Sequence, residues 1–197
     1  MGGKYFTAHS LWITSIMKIA ITGHSAGIGQ ALAKIYESQG HEIVGISKRD
    51  GNNIQNIPRT IALIKDCDMF INNAQHGYCQ TDLMYALYKL WQGVEGKQIM
   101  VISSSMTLSP VCPVPSLEYE QYYNQKKALE EATRVLAHKD HWPQVTLVKP
   151  GEVNTGDHSG PLAVDVTLWA EQLIKCLDVN SKLKVYEITL GPNYVGQ

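Results

Sequence analysis

The stretch Lys18–Tyr36, KIAITGHSAGIGQALAKIY, combines a short apolar strand, a turn with three glycines and the start of a helix. After the turn begins, apolar residues recur with helical spacing at Ile28, Leu32, Ile35 and Tyr36. A strand, a glycine turn and a helix N-terminus together present unpaired backbone N–H groups and a positive dipole end to a pyrophosphate. Glycines are needed there because a Cβ atom would block the approach of the phosphates. The stretch therefore predicts a dinucleotide-binding strand-turn-helix unit.

Strand and helix patterns alternate along the rest of the chain. Strands are predicted at Glu42–Ser47, Asp68–Asn72, Gln98–Ser103, Gln144–Val148 and Lys184–Leu190, and helices after Pro58 and at Asp82–Trp91, Glu118–His138 and Val166–Leu177. Because no hairpin signals separate the strands, they are expected to form a parallel sheet covered on both faces. The prediction is an α/β fold of one domain, with a Rossmann-like doubly wound parallel sheet in a three-layer α/β/α arrangement. The short connection before Asp68 predicts that one helix and one strand of the full six- or seven-stranded form are reduced there.

The length and composition allow a single core. At 197 residues, with 44% hydrophobic and 18% charged residues, the chain can bury a substantial core but is short for two domains. We expect residues 17–197 to form one dinucleotide-binding domain. Residues 1–16 are expected to be an N-terminal extension, disordered or non-native, that adds little to the fold. The extension lacks the features of a signal peptide, and no segment approaches transmembrane length.

Charge and cysteine usage limit the classes of partner. A formal net charge of −1 without basic runs gives no electrostatic reason to expect nucleic acid or a membrane surface. Four widely separated cysteines form no Cys-x-x-Cys pair, which favours reduced thiols and a cytoplasmic location: Cys67, Cys79, Cys112 and Cys176. His138 and His141 flank Asp140 without a third convergent ligand, so no metal site is predicted.

Five motifs follow one another between Lys18 and Leu190. They are Thr22-Gly23-x-x-x-Gly27-x-Gly29, Asn72-Asn73-Ala74-Gln75, Ile102-Ser103-Ser104, Tyr-x-x-x-Lys within residues 122–127, and Pro150-Gly151-Glu152-Val153-Asn154-Thr155. In these motifs and in their order, the chain resembles the short-chain dehydrogenase/reductase family. Gln75 departs from the family pattern, which has a glycine at that position. The resemblance implies a nicotinamide dinucleotide cofactor and a carbonyl or alcohol substrate.

By this resemblance, the cofactor is held by the glycine turn, the end of the second strand, the Asn-Asn-Ala motif, the Tyr-x-x-x-Lys helix and the Pro-Gly motif. Ser47 occupies the place of the acidic residue that holds the ribose hydroxyls, and Lys48 and Arg49 follow it. NADP(H) is therefore favoured, because basic residues there accommodate a 2′-phosphate, whereas Asp50 keeps NAD(H) as an alternative. Asn53 or Ile54 is expected near the adenine. The full implied set is Gly23, Ser25, Gly27, Ile28, Gly29, Ser47, Lys48, Arg49, Asn73, Ala74, Tyr122, Lys126, Pro150, Gly151, Val153 and Thr155.

Two tyrosine–lysine pairs have the spacing of a proton donor and its electrostatic partner. A carbonyl that accepts a hydride must also receive a proton from a group whose pKa lies near the working pH. A free tyrosine is too weak an acid, but a lysine one helical turn away lowers its pKa by favouring the phenolate. Tyr122 with Lys126, and Tyr123 with Lys127, both fit this requirement.

Helical phase distinguishes the two pairs. The pair Tyr122 and Lys126 shares a face with Leu129, Thr133 and Leu136, whereas the other pair shares a face with Glu130 and Arg134. The first face is therefore predicted to turn inward. We expect Tyr122 to be the acid/base and Lys126 to be its electrostatic partner and a ribose ligand.

Ser104 resembles the family residue that hydrogen-bonds the substrate carbonyl, and Ser103 and Ser105 are alternatives. The loop from Ser104 to Tyr122 is longer than is usual in the family. Its three prolines predict a stiff connection, because proline fixes the backbone angle φ: Pro110, Pro113 and Pro115.

These observations predict an NADP(H)-preferring oxidoreductase that transfers hydride between the cofactor and a small carbonyl or alcohol substrate. Ser104, Tyr122 and Lys126 are its predicted catalytic residues. The alternative is a non-catalytic dinucleotide-binding sensor or interaction protein. Gln75 supports that alternative, and so does the lack of the family's asparagine within Asp82–Trp91. By resemblance, a homo-oligomer, either a dimer or a tetramer, is also expected.

Overall fold

The computed structural model of the chain describes residues 16–156, 160–179 and 182–193. Nearly all of the expected N-terminal extension, residues 1–15, lies outside these ranges. The strands are β1 (Lys18–Thr22), β2 (Glu42–Ile46), β3 (Met69–Asn72), β4 (Gln98–Ile102), β5 (Gln144–Pro150), β6 (Val153–Asn154), β7 (Val164–Asp165) and β8 (Glu187–Leu190). The α-helices are α1 (Gly27–Ser38), α2 (Ile57–Ile64), α3 (Cys79–Trp91), α4 (Leu117–Ala137) and α5 (Val166–Leu177).

Six strands form the central sheet in the order β2-β1-β3-β4-β5-β8, and every neighbouring pair is parallel. The chain runs outward from β1 to β2 and then returns to β3 on the other side of β1. Such a reversal of winding opens a crevice at the carboxyl ends of the strands, where open α/β sheets bind ligands. The predicted doubly wound parallel sheet is therefore confirmed. The described residues also include a small parallel pair, β6 with β7, that the sequence patterns did not predict.

The two faces of the sheet carry separate apolar layers. Side chains alternate along β1, so that Ile19 and Ile21 pack with α1 and α5, while Ala20 faces the layer formed with α2, α3 and α4. Trp169 of α5 and Trp91 of α3 are almost fully buried, one in each layer. Burial of a large apolar side chain stabilises a fold by roughly 1.5–3 kcal/mol. These layers fix the helices relative to the strand ends where the predicted site residues lie.

Some predicted boundaries were wrong by a few residues. Helix α3 begins at Cys79, three residues before the predicted start at Asp82. Strand β5 continues through Pro150, because its last residues pair with β8. Strand β8 begins at Glu187 and not at Lys184, although the backbone before it still accepts hydrogen bonds from β5.

The Thr22 hydroxyl joins the carboxyl ends of β1 and β3. It accepts hydrogen bonds from the backbone N–H groups of Asn73 (2.9 Å) and Ala74 (3.0 Å). The Asn73 side-chain amide in turn donates to the Thr22 carbonyl at 3.0 Å. Because Thr22 is fully buried, water cannot replace these bonds.

We expect Thr22→Val to lower the free energy of unfolding by about 2–4 kcal/mol, because two backbone N–H groups lose their acceptor. Thr22→Ser keeps the hydroxyl and is expected to cost only about 1 kcal/mol, the value of a buried methyl group. Chemical denaturation of both variants measures the difference. A loss in Thr22→Val no larger than the loss in Thr22→Ser would mean that the hydroxyl contributes no more to the stability of this junction than the methyl group does.

Candidate functional site

The glycine turn after β1 brings β1, the start of α1 and the segment after β3 into close contact. Gly23 and Gly27 have φ angles of +71° and +53°, in the left-handed region that favours glycine. A Cβ atom on Gly29 would lie 2.3 Å from the Gly23 carbonyl oxygen and 2.8 Å from the side-chain amide nitrogen (Nδ2) of Asn73. Helix α1 starts at this turn with no side-chain cap and no acidic residue in its first turn. Its N-terminal N–H groups are therefore available to an anion.

A cleft of about 310 Å³ opens beside the turn. Its lining includes Gly23, Ser25, Ser47, Lys48 and Arg49, which sequence analysis assigned to the cofactor. Asn53 and Ile54, expected near the adenine, also line it. The structure thus brings together the glycine turn and the basic residues that follow β2.

Asp50 is held by neighbours within this cleft region. The Ser47 hydroxyl donates to the Asp50 carboxylate at 2.7 Å, and His24 Nε2 lies 3.5 Å from the same carboxylate. Arg49 reaches across to the turn and donates to the Ser25 carbonyl at 3.4 Å. Ser47, which stands where the family pattern has an acidic residue, therefore contacts an acidic residue three positions later in the chain. The sequence alone could not predict this contact.

Ser104 and Tyr122 meet where β4 ends against α4. The side chain of Ser104 lies close enough to the Tyr122 hydroxyl to act on its pKa. Burial raises the pKa of Tyr122 above its ordinary value, and the Ser104 side chain opposes that rise. The net direction differs from the lowered pKa that the Tyr-x-x-x-Lys spacing led us to expect. The phenol is therefore held in its protonated form at neutral pH.

Ser103, one of the two alternatives to Ser104, faces away from Tyr122. Its hydroxyl donates to the carboxylate of Glu130 at 2.7 Å and is buried. Ser104 also accepts a hydrogen bond from the backbone N–H of Met106, which fixes the short 3-10 helix over Ser105–Leu108.

Lys126 lies one turn along α4 from Tyr122, with its side chain almost fully buried. Its Nζ atom is 5.6 Å from the centre of the Tyr122 ring. Burial lowers the pKa of Lys126 to about 8, although the negative charge of Glu130 acts in the opposite direction. The ammonium form therefore predominates at neutral pH and is lost above about pH 8.

The competing pair, Tyr123 and Lys127, lies differently from the prediction. Tyr123 is 7% exposed, so the assumption that its face turns to solvent was wrong. Its hydroxyl donates to the Ser109 carbonyl at 2.8 Å and thereby ties the proline-containing loop to α4. Lys127 is only half-buried, whereas Lys126 is 3% exposed. The lysines, and not the tyrosines, thus distinguish the two pairs by burial.

Glu130 is a buried carboxylate that sequence reasoning placed on the outer face. It accepts hydrogen bonds from Ser103 and Thr107 and pairs with Lys149 at 3.2 Å and Arg134 at 3.1 Å. A buried charge is tolerated when it is paired and hydrogen-bonded in this way. Its position four residues after Lys126 was the available signal, since such residues are neighbours on a helix. Glu130 fixes the strand end that carries Ser104.

The Pro-Gly motif completes the site from β5. Thr155 lies against the glycine turn, because a Cβ atom on Gly27 would contact its side chain at 3.2 Å. Gly151 packs on Gly191, where a Cβ atom would lie 2.5 Å from the Gly191 Cα. Ile28 and Val153, in contrast, contribute their side chains to the apolar layer of α1 and α5. Val153 is buried there, whereas Ile28 is only partly buried.

Within the described ranges of the chain, no group of three or more histidine, cysteine, aspartate or glutamate residues could hold a metal ion. No helix in the same ranges is long and apolar enough to cross a membrane. The expected homo-oligomer stays a prediction.

Solved structures match most of the chain, whereas no protein-family model and no curated protein matches the sequence. A short-chain dehydrogenase from Burkholderia cenocepacia, in complex with NADP, has a TM-score of 0.69 at 17% identity, covering 89% of this chain and 88% of that one. The NADPH-dependent 3-quinuclidinone reductase from Rhodotorula rubra has a TM-score of 0.69 at 15% identity, covering 91% of each chain. An alcohol dehydrogenase from Thermococcus sibiricus, complexed with 5-hydroxy-NADP, has a TM-score of 0.60 at 17% identity, covering 91% of this chain and 98% of that one.

The chain has the fold of a short-chain dehydrogenase/reductase. The resemblance in five motifs and the likeness in structure thus agree on the fold. At identities of 15–17%, the structural likeness carries the fold and not the activity.

Burial of Lys126 is expected to make the free energy of unfolding depend on pH. The pKa of Lys126 is lowered from 10.5 to about 8 in the folded protein, so the unfolded chain binds more protons between these values. Stability must therefore rise with pH in that window. Relative to Lys126→Met, the wild type is expected to gain about 3 kcal/mol between pH 7.5 and pH 10.5, at 1.36 kcal/mol per pKa unit.

Urea denaturation of both proteins at several pH values measures this gain. Lys127→Met is the matched control, because it removes the neighbouring lysine of the same helix, whose side chain is only half-buried. A difference between wild type and Lys126→Met that stays constant from pH 7.5 to 10.5 would contradict the buried ammonium.

Proposed function

We propose that this protein is an NADP(H)-dependent oxidoreductase that acts on a small carbonyl or alcohol substrate. The observation that carries the proposal is the grouping of Ser104, Tyr122 and Lys126 at the carboxyl edge of the sheet. The glycine turn and the cleft beside it lie along that same edge. One site thus has a place for a dinucleotide and a place for proton transfer.

The residues of the turn fit a dinucleotide. The contact between Gly23 and Gly29 leaves no room for side chains, and the uncapped N-terminus of α1 points its N–H groups into the crevice. This arrangement suits a pyrophosphate. A bound nicotinamide cofactor would supply the hydride.

Tyr122 donates the proton in the direction of carbonyl reduction. The phenol is protonated at neutral pH, as a proton donor must be, although burial raises its pKa and makes it a weaker acid. Loss of the proton leaves a phenolate, which the Ser104 hydroxyl stabilises through its hydrogen bond and the Lys126 ammonium stabilises by its charge. Ser104 also presents its hydroxyl to the substrate oxygen.

Lys48 and Arg49 favour NADP(H) over NAD(H). Both line the cleft directly after β2, where a 2′-phosphate would lie. The contacts of Ser47 and His24 with Asp50 partly satisfy the carboxylate that favours NAD(H). Structural neighbours from Burkholderia cenocepacia and Thermococcus sibiricus are complexes with NADP and 5-hydroxy-NADP, which gives the same preference.

The first experiment is a titration of the purified protein with NADPH and NADH, followed by nicotinamide fluorescence and then by a panel of small ketones and aldehydes. We expect tight NADPH binding and oxidation of NADPH by at least one carbonyl compound. Binding without turnover across the panel would favour the non-catalytic sensor. The absence of binding would refute the proposed function.

We expect Tyr122→Phe to lower kcat by about 10²- to 10⁴-fold, the usual contribution of a general acid. Its Kd for NADPH should change no more than a few-fold, because Tyr122 acts on the substrate oxygen. Stopped-flow fluorescence for binding and NADPH absorbance for turnover measure the two effects separately.

Tyr123→Phe is the matched control, since it removes the neighbouring hydroxyl, which donates only to the Ser109 carbonyl. We expect this variant to retain turnover within a few-fold. If Tyr123→Phe loses turnover and Tyr122→Phe keeps it, the roles of the two tyrosines are reversed.

Removal of both basic side chains after β2 tests the cofactor preference. We expect Lys48→Ala/Arg49→Ala to weaken NADPH binding roughly 10- to 100-fold, because charge-assisted hydrogen bonds to the 2′-phosphate are lost. NADH has no 2′-phosphate, so its Kd should stay within about threefold by the same argument. Lys89→Ala removes an exposed charge on α3 and serves as the control. Equal loss of affinity for both dinucleotides would refute a 2′-phosphate site.

A further inference from the structure

Gln80, in the first turn of α3, is a buried amide that contacts the buried ammonium of the proposed catalytic site. Its side chain is 2% exposed, and its Oε1 atom accepts a hydrogen bond from Lys126 Nζ at 3.0 Å. Gln80 lies two residues before the predicted start of the helix at Asp82, and nothing in its local sequence pattern marks it as functional.

The orientation of the Gln80 amide is fixed by its other hydrogen bonds. Nε2 donates to the carbonyls of Asn72 (2.6 Å) and Ile102 (2.9 Å). Because both partners are acceptors, the nitrogen must face them and the oxygen must face Lys126. The Gln80 backbone carbonyl accepts in turn from the Asn72 side chain at 2.8 Å. The amide is thus tied to the carboxyl ends of both β3 and β4.

The same contacts account for most of the hydrogen-bonding capacity of Lys126. An ammonium group has three N–H donors. One donates to Gln80 and a second donates to the Ile102 carbonyl at 3.0 Å. The third N–H remains for a ligand in the crevice. Two fixed donors leave the ammonium little freedom to turn away from Tyr122.

We propose that Gln80 is a positioning residue that holds the ammonium of Lys126 beside Tyr122. The inference rests on the proposed function, in which Lys126 acts on the Tyr122 phenolate. In this role, Gln80 acts on Tyr122 and on the substrate only through Lys126.

Charged and neutral groups both surround the Lys126 ammonium, and its direct hydrogen bonds go to the neutral groups. The charged group that acts on Lys126 from its own helix is Glu130, and that carboxylate is also paired with Lys149 and Arg134. From α3 the ammonium meets the neutral Gln80 amide, and from β4 it meets the Ile102 carbonyl. Within the described part of the chain, Tyr122 is a further ionisable group beside it. Neutral acceptors therefore supply the direct hydrogen bonds that keep the buried lysine charged.

The test is the titration of Lys126 itself, followed by the ¹³Cε chemical shift of labelled lysine, with Lys126→Met to assign the signal. Gln80→Met keeps a side chain of similar length but removes the acceptor. Because a charge-assisted hydrogen bond to the ammonium is lost, we expect the pKa of Lys126 to fall by about one unit. Thr133→Val is the matched control, since it removes a different buried polar group, the Thr133 hydroxyl, which contacts α3 but does not bond Lys126.

Gln80→Glu extends the test to a variant that keeps an acceptor at the same length. A carboxylate beside the ammonium should raise the pKa of Lys126, in the opposite direction from Gln80→Met. The upward shift in Gln80→Glu is a result by itself if the methionine variant does not fold. A residue that only stabilised α3 would give no such opposition.

An unchanged Lys126 titration in folded Gln80→Met or Gln80→Glu, or a shift of the same size in Thr133→Val, would overturn the inference. The measurement requires no substrate and no cofactor, so its result is separate from that of the proposed function. Opposite shifts without any NADPH oxidation by the wild type would support the role of Gln80 toward Lys126 while refuting the enzyme. NADPH oxidation by the wild type without these pKa shifts would support the enzyme while refuting the role of Gln80 toward Lys126.

Discussion

The close approach of β1, α1 and β3 at Gly23, Gly29 and Asn73 is the constraint on which the site depends. A single Cβ atom on Gly29 would collide with both the Gly23 carbonyl and the Asn73 amide. Only without side chains at these glycines can the N-terminus of α1 aim into the crevice beside β1. The buried Thr22 hydroxyl then fixes the segment after β3 against the same turn. The cleft beside the glycine turn is a consequence of this packing.

The fold was predictable because its signals are local and repeated. Apolar strands that alternate with amphipathic helices predicted the parallel sheet, and the glycine turn predicted its switch point. The buried polar contacts were not predictable from such patterns. Glu130 looked like a surface charge until Lys149, nineteen residues later in the chain, was found to pair with it. Gln80 likewise acquires its partners only when β3, β4 and α4 converge.

Burial of charge explains why α4 differs from an ordinary amphipathic helix. Lys126, Glu130 and Thr133 are all buried on it, and each is satisfied by a hydrogen bond or an ion pair. Removing one partner from such a group leaves the other charge or dipole uncompensated, which costs more than the interaction itself contributes. The helix is therefore held in one rotational setting about its axis. That setting is the one that puts Tyr122 against Ser104.

Gln75, the departure from the family pattern, connects the two halves of the site. It lines the cleft beside the glycine turn, and its amide nitrogen donates to the side-chain oxygen of Gln125 on α4. A glycine at this position could make no such bond, because it has no side chain. The glutamine thus joins the cleft beside the glycine turn to the helix that carries Tyr122 and Lys126.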